Sequence, residues 1–174
     1  MKKVLILLFV LSITGAIFSA CEKDDICPAA TQTTPLLVVG FYDNVERDVL
    51  KAVPNLRVIG EGMQTPVTGV PDRGNPTTIE LPLKSLENSS AFQFIINSAD
   101  DENDNETGNV DIIRFTYEPQ EIFISRGCGY SVNYNNLDAI TNPGEDDTNE
   151  WITGTSVPIR NIVNQDTVHV KIFH

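Results

Sequence analysis

The stretch Phe92-Gln93-Phe94-Ile95-Ile96-Asn97 decides the fold class. Phe92, Phe94 and Ile96 fall on one face of an extended chain and Gln93 and Asn97 on the other, the period of two that a strand imposes. Val168-His169-Val170-Lys171-Ile172-Phe173 repeats the pattern, with Val168, Val170 and Ile172 opposed to His169 and Lys171. Working outward, β-branched and aromatic runs recur at 36–42, 56–59, 77–83, 92–96, 110–117, 122–126, 130–134, 151–155 and 168–173. Turn-forming residues separate them. Tyr117-Glu118-Pro119-Gln120-Glu121 reads as a hairpin turn between two of these runs. One short helix is predicted over 45–53, with Asn44 as its N-cap and Pro54 as its stop. Roughly eight short strands at this spacing predict an all-β chain, an antiparallel β-sandwich that is immunoglobulin-like in architecture. The immunoglobulin disulfide pattern is missing, because Cys27 precedes the first strand and Trp151 follows the second cysteine of the pair. A small β-barrel is the alternative.

The start of the chain gives an address. Met1-Lys2-Lys3 is basic, residues 4–17 are almost unbroken apolar sequence, and Phe18-Ser19-Ala20-Cys21 comes next. A basic start, an apolar stretch and small residues before a cut make a secretory signal peptide. The run is too short for a membrane-spanning helix, which needs about 20 apolar residues. Phe18-Ser19-Ala20-Cys21 resembles the lipobox of bacterial lipoproteins, with Phe18 where Leu is usual. That resemblance implies cleavage before Cys21 and acylation of Cys21, palmitate included. Two or more acyl chains give stable anchoring where one gives reversible binding. Glu22-Lys23-Asp24-Asp25 resembles the lipoprotein export signal of Bacteroidota, which implies an outer-membrane protein facing the cell surface rather than the periplasm. The plain alternative is a solvated charged linker. The expected organisation is a signal peptide over 1–20, a lipidated cysteine with a polar tether over 21–34, and a β domain over 35–174. Such a tether reaches about 45 Å when extended and roughly 20 Å as a coil.

Composition narrows the partners. The net charge is −12, and −14 once Lys2 and Lys3 leave with the signal peptide. An acidic chain is repelled by phosphate backbones, so nucleic acid is not an expected partner. The three cysteines leave Cys27 and Cys128 once Cys21 is acylated. In an exported protein an even remainder points to a disulfide, with two buried thiols as the alternative. Gly127 and Gly129 beside Cys128 predict a bulge or a close backbone approach. Arg126, a cation in an acidic chain, is placed to pair with a carboxylate near that bond.

Each chemical motif has a bland counterpart. Residues 100–111 form the densest cluster of hard oxygen ligands, and Asp100, Glu102, Asp104, Glu106 and Asp111 are candidate calcium ligands at alternate places and at the twelfth. Asn105 sits where an EF-hand needs glycine, and a solvated acidic hairpin loop is the favoured alternative. The loop Gly144-Glu145-Asp146-Asp147-Thr148-Asn149-Glu150 has the same character. His169 and His174 are the two histidines; five apart on a strand, they point to opposite faces and cannot share a metal. No Gly-x-Ser-x-Gly elbow and no glycine-rich phosphate loop occur. Tyr42, Tyr117, Tyr130, Tyr134 and Trp151 are candidates for a sugar-stacking platform, against the commoner role of aromatics in a core. Asp166-Thr167-Val168 fits the short Bacteroidota O-glycosylation pattern at Thr167, with a strand-edge turn as the alternative.

Several segments taken together carry a wider resemblance. They are Cys21-Glu22-Lys23-Asp24-Asp25-Ile26-Cys27-Pro28, Thr34-Pro35-Leu36 with Phe41-Tyr42-Asp43, Ser125-Arg126-Gly127-Cys128-Gly129-Tyr130, Asn135-Asn136-Leu137 and the ending His169-Val170-Lys171-Ile172-Phe173-His174. Over most of the mature chain the sequence resembles a Bacteroidota family of small lipoproteins known only as a domain of unknown function. The resemblance implies a lipid anchor, a Cys27–Cys128 pair and association with the outer membrane. It carries no activity, substrate or catalytic residue. The functional expectation is a non-enzymatic outer-membrane lipoprotein that serves as an accessory or binding module for another envelope protein. A surface glycan-binding module is the second expectation, and a hydrolase with an unrecognised site the third. No cofactor is expected beyond the candidate calcium.

Overall fold

The structure is a computed structural model that describes residues 26–29, 31, 33–142 and 149–174. The expected signal peptide over 1–20, Cys21 and the 144–148 part of the second acidic loop lie outside the described residues. The chain divides into two compact units, Met1–Thr31 with Phe123–Tyr130, and Gln32–Ile122 with Ser131–His174.

The larger unit holds the sandwich. The strands of the chain are β1 (Leu37–Tyr42), β2 (Arg57–Gly60), β3 (Thr78–Leu81), β4 (Ser89–Ile96), β5 (Asn109–Ser125), β6 (Gly129–Thr141), β7 (Gly154–Ser156) and β8 (Val170–Phe173), and the last residues of β5 and the first two of β6 fall in the smaller unit. One sheet runs β3-β1-β8-β7 and the other β2-β4-β5-β6. The two sheets do not close into a barrel, so the sandwich expectation holds. The β1–β8 pairing is parallel, with Val39 opposite Val170 and Phe41 opposite Ile172, so the first sheet is mixed rather than purely antiparallel.

The period of two builds the core. Phe92, Phe94, Ile113, Phe115 and Tyr117 point inward from β4 and β5, and Leu37, Val39, Phe41, Val170 and Ile172 face them from β1 and β8. Phe41 and Phe94 meet edge to face across the two sheets, their ring centres 6.4 Å apart. Such pairs add about 0.5–1.5 kcal/mol beyond the area they bury.

Two expectations fail, for readable reasons. The helix over 45–53 does not form, and no helix occurs among the described residues. Asp43 Oδ1 accepts the backbone N–H groups of Val45 and Glu46, the bonds of a helix cap, yet the chain does not go on as a helix. The chain then folds back on β1: Asp43 N–H donates to Val49 O and Lys51 N–H to Phe41 O. Val45, Val49 and Leu50 remain exposed, so a helix here would have no apolar face to bury.

The turn expected at 117–121 is also absent; β5 runs straight through Pro119. Proline removes one ladder donor, which a strand tolerates only where that donor faces no neighbour. β4 ends against Thr116, with Ser89, and the last bond on that side runs from Tyr117 N–H to Asn88 O. Pro119 has the same parity as Tyr117, so its missing N–H would point past the end of β4.

β6 contains a further irregularity. Tyr134 and Leu137 are both buried, and both donate their N–H groups to the same neighbouring segment, at Ile162 O and Arg160 O. A regular strand does this at even spacing; here the spacing is three. Asn136 lies between them at φ 54°, the left-handed conformation that asparagine adopts more readily than most residues. The extra residue is a β-bulge, and it turns the Asn136 side chain outward.

Candidate functional site

The acidic loop before β5 holds most of the calcium candidates. Asp101 Oδ1 accepts the N–H groups of Asn103 and Asn105, and Asn105 Nδ2 donates to both Asp101 oxygens, so Asp101 ties the loop to itself. Those bonds, the Asn105 side chain foremost, hold its carboxyl below the usual range. Glu106 Oε1 accepts from Ala99, Thr107 and Gly108 N–H, and its Oε2 from the Ser98 hydroxyl. Burial alone would raise its pKa, but the Gly108, Ser98 and Ala99 bonds and the Arg57 charge outweigh burial and lower it.

Two arginines complete this cluster. Arg57 grips Asp72 with two bonds of 2.9 and 3.0 Å and reaches Glu106 at 3.2 Å. Arg73 pairs with Asp100 and donates to Ser98 Oγ. Asp111 is elsewhere: fully buried in β5, it accepts the N–H groups of Trp151 and Ile152 at 3.0 and 2.7 Å. The structure therefore brings only Asp100 and Glu106 together, on either side of Arg73, and leaves the other three candidates apart. Asp100 and Glu106 neutralise arginines, Asp111 ties the 151–152 backbone to the sheet, and Glu102 and Asp104 are exposed. Among the described residues no three His, Cys, Asp or Glu side chains are grouped to hold a metal ion.

The histidines are apart as well. His169 is buried just before β8, where its Nδ1 accepts the Val38 N–H at 3.0 Å while its own N–H donates to Val38 O. The ring thus replaces a backbone carbonyl in the ladder. Burial lowers its pKa. His174 packs edge-on against Phe41 and Trp151, and burial lowers its pKa too.

The five aromatics form no common platform. Tyr117 and Tyr134 meet at 5.0 Å inside the core. Their hydroxyls donate to Lys84 O and Leu83 O, and burial pushes Tyr134 up to about 12. Tyr42 packs on Phe173, and Trp151 donates its indole N–H to Phe94 O. Tyr130 alone among them is largely exposed, against Phe123. Thr167 is exposed in a bend before β8.

Cys27 and Cys128 are joined, their Cα atoms 4.7 Å apart. The bond lies inside the smaller unit. Ser125 Oγ accepts the Cys128 N–H, closing the turn between β5 and β6. Gly129 comes next at φ 72°, a backbone that L side chains rarely adopt.

A polar groove on the sandwich unit was not expected. Arg114, Thr116 and Glu118 alternate with the inward Ile113, Phe115 and Tyr117, and so line the outer face of β5. With Asn88 and Ser89 at the start of β4 and Asn136 on the β6 bulge, they bound a groove of about 360 Å³. Asn136 Nδ2 donates to Glu118 Oε2 at 2.9 Å, and Arg114 pairs with Glu61 at 3.1 Å. Beneath it a closed ring of bonds fixes the floor: Lys84 N–H to Ser90 Oγ, Ser90 Oγ to Tyr117 OH, Tyr117 OH to Lys84 O. The groove offers amide, hydroxyl, guanidinium and carboxylate groups on a rigid sheet. Its chemistry is hydrogen bonding and charge pairing. The alternation of β5 announced its outward residues; the bulge that supplies Asn136 had no periodic signal.

Known families supply one relationship. The profile of the family of unknown function DUF6452 matches residues 55–174. The chain belongs to that family. Neither a protein of curated function nor a solved structure matches it. The DUF6452 segment runs from β2 to the last residue, so it takes in the groove, the arginine–carboxylate cluster and Cys128.

Proposed function

We propose that this DUF6452 protein is a non-enzymatic, lipid-anchored accessory module of the bacterial outer membrane. It faces the cell surface and docks another envelope protein through the groove over β4, β5 and β6. The groove carries this reading. Its lining groups repeat at strand spacing and supply both donors and acceptors, which suits the backbone and polar side chains of an extended protein segment. It presents no open aromatic face for a sugar ring, because Tyr117 is buried. The carboxylates Asp100 and Glu106 are engaged by Arg73 and Arg57 and are not among the residues that line the groove. The anchor and the surface address rest on Phe18-Ser19-Ala20-Cys21 and Glu22-Lys23-Asp24-Asp25.

Site-specific photo-crosslinking tests the reading. A photoreactive residue at Thr116, in the full-length chain in its own membrane, should give one light-dependent adduct with an envelope protein. The same residue at exposed Leu86 serves as the comparison. No adduct from Thr116 would overturn the docking surface. Glycan-array binding that Arg114→Ala abolishes would replace the protein partner with a glycan.

A further inference from the structure

The smaller unit carries apolar surface where a soluble domain has no use for it. Phe123 is 58% exposed and Tyr130 68%, and their rings pack together at 5.4 Å. Ile26, beside the disulfide, is 81% exposed, and Ile124 is exposed as well. The Cys27–Cys128 bond ties this aromatic hairpin tip to the N-terminal segment. Cys27 is six residues after Cys21. At about 3.5 Å per residue Cys27 therefore lies within roughly 20 Å of Cys21, whatever path the intervening chain takes, and the tip is bonded to Cys27 through Cys128.

We infer that the hairpin tip is a membrane foot: Phe123, Ile124, Tyr130 and Ile26 rest in the interfacial layer of the bilayer that holds the acyl chains. The inference rests on the lipid anchor of the proposed function and adds a second, non-covalent contact. Aromatic side chains favour the depth of the lipid headgroups, where Tyr keeps its hydroxyl wet and the ring leaves water. An anchor on so short a leash raises the effective concentration of lipid at the tip, so a small apolar patch suffices. The disulfide shortens the leash: without it the anchor would leave the tip free to turn away. The foot and the groove are separate devices, one for lipid and one for protein.

The test uses the full-length acylated protein in phosphatidylethanolamine–phosphatidylglycerol vesicles carrying brominated acyl chains. Phe123→Trp and Tyr130→Trp are compared with wild type, whose Trp151 gives the background emission. The foot predicts that the added emission shifts to the blue and is mostly lost to bromine quenching. Added emission that stays red and unquenched in both variants, with protein still floating with the vesicles, would overturn the foot and leave the anchor standing. Protein that does not float with vesicles would overturn the anchor, and the foot with it. A blue shift that needs native membrane proteins and shows no bromine quenching would assign the tip to a protein partner and overturn the lipid contact.

Discussion

At the scale of single residues, buried polar groups in this protein replace missing backbone partners. His169 accepts the Val38 N–H with Nδ1, which requires the neutral ring. Burial puts its folded-state pKa below the unfolded value of about 6.5. The unfolded chain therefore takes up a proton first as pH falls. The stabilisation is complete above about 6.5 and drains as pH drops below that value toward the folded pKa. His174 shifts the same way and adds to the loss. The carboxylates act lower, since Asp43 is held at about 2 by the Glu46 and Val45 N–H groups and by Lys51. Between pH 7.5 and pH 5 the urea midpoint should fall for the wild type and fall less for His169→Asn, which keeps an acceptor for Val38 and does not titrate. Equal losses in both proteins would refute the assignment. Asp111→Ala is expected to be worse, because it deprives the N–H groups of Trp151 and Ile152 of their acceptor at about 1–3 kcal/mol each. None of these roles was visible in sequence. Asp111 looked like the twelfth ligand of a calcium loop, because composition does not tell that β5 has already begun there.

At the scale of elements, alternation was legible and its interruptions were not. Phe92-Gln93-Phe94 and Val170-Lys171-Ile172 announced their strands because one face of each meets a core. Pro119 looked like a turn because strand neighbours, not strand sequence, decide whether its missing N–H matters. The stretch after Asn44 looked helical because Asn44 could cap it and Pro54 end it, but the return of the chain to β1 decided otherwise. The β6 bulge gives the sharpest element-level test. Asn136 sits at φ 54°, a conformation that costs an ordinary L residue about 1–2 kcal/mol and glycine little. Asn136→Ala should lower the urea-unfolding free energy by about that amount, and Asn136→Gly by clearly less. Equal effects would remove the bulge as the cause. Gly108 offers a second test: a Cβ there would lie 2.5 Å from Ile95 Cγ2 and 2.8 Å from Ile96 O. Gly108→Ala should destabilise by about 1–3 kcal/mol through that overlap, read in the same urea titration.

At the scale of the whole molecule, the disulfide links positions 101 apart in sequence. The chain-entropy treatment assigns such a loop about 4.7 kcal/mol, so Cys27→Ser with Cys128→Ser should lose up to that in a denaturant titration. Cysteine counting made this bond legible: with Cys21 read as the acylated residue, Cys27 and Cys128 are the pair left over. The sandwich was legible from strand spacing, whereas the groove was not, because it needs three strands and a bulge brought side by side. The central claim is that this surface docks an envelope protein on a lipid-anchored module. The direct test is affinity purification of the tagged full-length chain from gently solubilised native membranes, wild type beside Arg114→Glu, with mass spectrometry of the co-purifying proteins. The account predicts one envelope protein at stoichiometric yield with the wild type and its loss with Arg114→Glu. A wild-type protein that always comes out alone, or a partner that Arg114→Glu retains in full, would contradict it.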